Sequence, residues 1–92
     1  MTLRFEWNHK KARLNIRKHG ITFEEASTIF GDVLSRTIPD PYHSIGEDRY
    51  VTIGMSSKGK ILVVVHTERY DVIRIISARK AEKNEKNQYE RG

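Results

Sequence analysis

The sequence has no cysteine, so neither a disulfide nor a thiolate metal site supports the fold, as expected in a reducing compartment. Its 2 prolines, Pro39 and Pro41, stand almost together and read as the close of a strand. There is no long hydrophobic run. The longest, Ile61 to Val65, is far too short to span a bilayer, and Met1 to Glu6 has no apolar signal core. These absences predict a soluble, cytoplasmic chain with no membrane partner. Glycine-rich phosphate loops, nucleophile elbows and zinc-type ligand spacings are also missing, so neither a cofactor nor a metal is expected. Acid is in short supply as well. With 12 Asp and Glu against 17 Lys and Arg, the formal charge is +5 and the pI about 9.7. Such a balance suits a polyanion, an acidic protein or an anionic surface.

The 92 residues predict one domain, 1–92, with a modest core. Arg4 to Trp7 alternates weakly, as a short edge strand would. Asn8 is a good N-cap for a helix running to His19, with Ala12, Ile16 and His19 on one stripe and Gly20 beyond its end. Thr22 and Glu25 form a capping-box pattern. It opens a second helix whose stripe is Phe23, Ala26, Ile29 and Phe30. After Gly31 the period changes towards 2. Strands are predicted at Val33–Ile38, Arg49–Ser56, Lys60–Glu68 and Val72–Ala78, with a polar loop, including His43 and Glu47, before Arg49. His9, His19 and the His43–Glu47 loop read as cap, turn and surface positions. Lys80 to Glu90 is polar and helix-compatible, and Lys80, Lys83 and Lys86 follow helical spacing along it.

Three-residue turns at Ser57-Lys58-Gly59 and Arg69-Tyr70-Asp71 set a register for the last three strands. One face then collects Val51, Ile53, Met55, Ile61, Val63, Val65, Ile73 and Ile75 and is expected to receive the helices. The other carries Tyr50, His66 and Arg74 side by side, along with Glu68. A solvated outer face accounts for charged strand residues one at a time. As a set, histidine beside arginine and tyrosine suits acid–base chemistry on a phosphodiester. A base takes the ribose 2′-OH proton, an acid protonates the leaving oxygen, and arginines offset charge growing on the phosphate.

The sequence resembles the BrnT-type toxins of bacterial toxin–antitoxin pairs. The resemblance spans nearly the whole chain. It rests on Phe5-Glu6-Trp7-Asn8, Lys18-His19-Gly20-Ile21-Thr22-Phe23-Glu24-Glu25-Ala26, Asp40-Pro41, Arg49-Tyr50, Val63-Val64-Val65-His66-Thr67-Glu68-Arg69, Ile73-Arg74-Ile75-Ile76-Ser77-Ala78-Arg79, Glu85 and Tyr89-Glu90. It implies a RelE-like fold and an endoribonuclease that arrests translation. It also implies a ribbon-helix-helix antitoxin bound as a 2:2 heterotetramer, which carries the toxin to operator DNA.

The expectation is therefore an α+β domain. Two N-terminal helices pack on a four-stranded antiparallel sheet, and a further helix follows at the C-terminus. The expected activity is metal-independent RNA cleavage. The candidate catalytic residues are His66, Arg74 and Arg79, and the candidate substrate-binding residues are Tyr50, Glu68, Arg69, Lys80, Lys83 and Tyr89. The competing expectation is a non-catalytic basic module that only docks RNA or an acidic partner.

Overall fold

The computed structural model describes residues 3–41 and 48–92; the loop holding His43 and Glu47 lies outside them. In chain order the elements are β1 (Arg4–Glu6), α1 (His9–His19), α2 (Phe23–Ser27), a 3-10 turn (Thr28–Gly31), β2 (Arg36–Pro39), β3 (Arg49–Met55), β4 (Ile61–Arg69), β5 (Val72–Lys80) and α3 (Lys83–Arg91). The fold is α+β, but the sheet is not the four-stranded antiparallel one expected. It has five strands in the order β1-β5-β4-β3-β2, and β1 runs parallel to β5.

The helix ends follow local chemistry. The Asn8 side chain accepts the Lys11 N–H at 3.0 Å, and Gly20 closes α1 in the left-handed region at φ 72°. Thr22 caps α2 through the Glu25 N–H. The reciprocal half of that capping box is not made. The Glu25 carboxylate instead accepts from Ser56 Oγ at 2.7 Å and ties α2 to the β3–β4 turn. The expected core stripe of α1 also needs correction. Ile16 is 46% exposed, and the helix is centred on buried Asn15. The Asn15 amide donates to the Ile21 and Ala78 carbonyls and accepts from the Ala78 N–H, and this fastens α1 to β5.

The sheet register overturns the predicted faces. The first turn is as expected, with Met55 opposite Ile61 and Gly59 at φ 78°. The second is one residue shorter. Arg69 pairs with Val72, and Tyr70 takes the left-handed conformation at φ 57°. Ile73 and Ile75 therefore share a face with Glu68 and His66 rather than with Val63 and Val65. A bulge between Val65 and His66 leaves Ile76 without a partner, so Ala78 joins the same face opposite Val64. That face is the core. Leu62, Val64, Ile73, Ile75 and Ala78 pack against Ile21, Phe23, Ala26 and Ile29. Gly54 suits the close approach on it, because a Cβ there would lie 3.0 Å from Ser35 Cβ and 3.1 Å from the Ile29 carbonyl oxygen, so these neighbours would have to shift.

The other face carries Arg49, Val51, Ile53, Val63, Val65, Thr67, Arg74, Ser77 and Arg79 in register, with Glu6 and Arg36 at its flanks. α3 reaches this face at one end. Glu82 and Glu85 form its capping box, and Glu85 also binds Arg79. Tyr89 donates to Asp32, whose carboxylate also accepts the Met55 N–H, so α3 is held to the end of β3.

Candidate active site

The open face ends in a cavity of about 610 Å³ beside the β4–β5 turn, lined by Glu6, Asp48, Thr67, Arg69, Val72 and Arg74, and by Glu68, which stands on the covered side of β4 and reaches the cavity at the end of the strand. Its construction follows from pairing. Thr67 lies opposite Arg74 across β4 and β5, and parallel β1 sets Glu6 beside Arg74 on the other side. The Arg74 guanidinium donates to Glu6 Oε2 at 2.8 Å. Arg69 and Glu68 come from the end of β4, next to the tight turn. The arrangement can hold a phosphate on guanidinium groups while leaving a carboxylate within reach of a neighbouring hydroxyl.

Of the residues expected from the sequence, Arg74, Glu68 and Arg69 meet in this cavity. His66 does not. It pairs with Ile75 rather than Arg74, on the covered face, and is 0% exposed. Its Nε2 lies 2.7 Å from Thr52 Oγ1, which lies 2.7 Å from Thr37 Oγ1. Phe30 meets the ring edge-on at 4.9 Å, and Tyr50 stacks at 6.0 Å. Among the described residues Nδ1 has no hydrogen-bond partner, and Glu68 Oε1 stands 3.7 Å away. Burial pushes the imidazole pKa down to about 4, so His66 is neutral near pH 7.

Arg79 shares the open face with Arg74 but stands about 16 Å along the strand, five residues at about 3.3 Å each. It makes a bidentate pair with Glu85 at 2.8 and 2.9 Å. That hydrogen bond raises the Arg79 pKa and lowers that of Glu85. Lys80 borders a separate cavity with Lys60 and Lys86, and Lys83 is an exposed residue in the first turn of α3. Tyr89 is buried; its hydrogen bond to Asp32 pushes its pKa up to about 12. It therefore acts here as the anchor of α3.

Glu6, Asp48 and Thr67 line the cavity but were not among the expected residues. Thr67 follows from alternation along β4 once the turn length is known. Glu6 had no sequence signal, because nothing in Arg4–Glu6 says that the strand lies parallel to β5.

The model of BrnT, the ribonuclease toxin of type II toxin–antitoxin systems, matches residues 7–85. The chain belongs to the BrnT family. The fold agrees with this assignment: the Brucella abortus ribonuclease toxin BrnT, solved by crystallography at 1.1 Å, superposes with a TM-score of 0.69. It is 22% identical, over 89% of this chain and 100% of that one. No curated protein sequence matches the chain. Membership in the family implies a protein antitoxin as partner. Among the described residues no helix is long and apolar enough to cross a membrane.

Proposed function

We propose that this BrnT-family chain is a cytoplasmic endoribonuclease that cleaves RNA without a metal and so arrests translation. A ribbon-helix-helix antitoxin neutralises it in a 2:2 complex that binds operator DNA through the antitoxin. The observation that carries the enzymatic reading is the cavity in which Arg69 and Arg74 converge with Glu6 and Glu68. Glu6 is engaged in orienting Arg74, whereas Glu68 supplies the proton acceptor that cleavage needs and simple docking does not. In the reaction, the 2′-oxygen attacks the adjacent phosphorus and the bond to the 5′ oxygen breaks. The products are a 2′,3′-cyclic phosphate and a free 5′-hydroxyl. Glu68 takes the 2′-OH proton, a solvent water gives the departing 5′ oxygen its proton, and Arg74 and Arg69 hold the phosphate oxygens. Glu6 orients Arg74. Arg79 binds the substrate farther along the open face, where a phosphate would compete with Glu85. His66 is a positioning residue beneath Tyr50, out of contact with RNA.

The test is cleavage of total RNA by purified protein in EDTA, with the ends mapped. Internal cuts bearing cyclic phosphate are expected. Intact RNA in the presence of folded protein would leave only the binding-module reading.

A further inference from the structure

We propose that the outer stripe of α1, formed by Lys10, Arg13, Leu14 and Arg17, docks an acidic amphipathic segment of the antitoxin. This rests on the family reading that a protein antitoxin binds the chain. The stripe is set by the anchoring of the helix. Asn15 is pinned to β5 through the Ala78 backbone, so the residues on the far side of α1 point outward. They line a shallow groove of about 350 Å³. α1 reads HKKARLNIRKH and has no acidic residue, and none of the ion pairs described above involves it.

Leu14 decides between an acidic protein and RNA. It is 57% exposed among the cations of the groove. A phosphate backbone gains nothing from an isoleucine- or leucine-sized contact at this point. An amphipathic helix with carboxylates flanking an apolar side chain uses both features, the charges for selectivity and the leucine for buried area. The groove is also remote from the cavity of Arg74. Ala78, which α1 grips, faces the core, whereas Glu6, Thr67 and Arg74 lie on the opposite face of the sheet. Occupying α1 therefore anchors the antitoxin without itself filling the candidate active site.

The experiment uses the full chain and the antitoxin encoded beside it, with affinities measured by calorimetry at two salt concentrations. Circular dichroism checks that each variant is folded. The double variant Arg13→Glu/Arg17→Glu is expected to weaken the complex at least about 10-fold and to flatten its salt dependence. Leu14→Ser is expected to weaken it roughly 3- to 10-fold with the salt dependence retained. RNA cleavage by the free variants should equal wild type. Unchanged antitoxin affinity in the charge variant overturns the proposal. So does Leu14→Ser at wild-type affinity, which would remove the amphipathic occupant. Weakened RNA cleavage with an intact antitoxin complex would make the stripe a phosphate-tracking surface instead. A wild-type chain that neither binds the antitoxin nor cleaves RNA overturns the toxin reading and the docking surface together.

Discussion

The Arg74–Glu6 pair is about half exposed on both sides, so its value lies in orientation rather than stability. Arg74→Ala should lower single-turnover cleavage by roughly 2–4 kcal/mol of transition-state stabilisation, about 30- to 900-fold. Arg74→Lys should recover only part of this, since an ammonium cannot reproduce the guanidinium fork. Glu6→Gln should give a smaller loss that appears mainly in kcat. Wild-type rates in Arg74→Ala would remove the cavity from the reaction.

His66 calls for a different measurement. Its pKa of about 4 lies below the ordinary value of 6.5, so the unfolded chain binds the proton more readily than the folded one. Stability is therefore complete above pH 6.5 and drains away as the pH falls towards 4. The loss is about 3 kcal/mol by pH 4 from this one group. Urea melts at pH 7 and pH 4.5 should show that slope, and His66→Gln should reduce it. An equal pH slope in wild type and variant would show that the buried imidazole does not cause it.

At the scale of elements, α1 and β5 are joined by the side chain of Asn15. Asn15→Ala leaves the Ala78 N–H and the Ala78 and Ile21 carbonyls buried without that partner. A destabilisation on the order of 2–4 kcal/mol is expected, read as a lower urea midpoint with unchanged m. A loss below about 0.5 kcal/mol would mean that water replaces the amide freely. The β4–β5 hairpin shows how much one turn decides. Because Tyr70 accepts a positive φ, the loop closes one residue early, and Ile73 and Ile75 turn towards the helices. The bulge at Ile76 then keeps Ala78 on the same side. Both faces of β4 carry aliphatic residues, and β3 turns its aliphatic side, Val51 and Ile53, to the open face, so alternation within either strand could not identify the core side.

For the whole molecule, the charge of +5 makes RNA affinity salt-dependent. On a single strand each phosphate contact contributes a slope of about −0.7 to log K against log salt. Arg69→Ala and Arg74→Ala should each remove about one such increment if both hold phosphates. A slope unaltered by either substitution would place the RNA elsewhere on the surface.

The sequence by itself determined what depends on near neighbours. The caps at Asn8 and Thr22, the left-handed Gly20, the Ser57-Lys58-Gly59 turn and the approximate extents of β3, β4 and β5 are short-range matters of hydrogen bonding and alternation. Family membership was legible too, because it rests on the order and spacing of motifs. The tertiary structure decided which face became the core, where β1 lies and what surrounds His66. Each turns on a long-range choice that local patterning leaves open. Leu62, Val64, Ile75 and Ala78 win the helix side because the short turn and the bulge align them across two strands. Phe5 can join them only because β1 pairs in parallel beside β5. The same choice carries His66 inward and brings Glu6 to Arg74. The candidate site therefore belongs to the face that the sequence pattern assigned to the core.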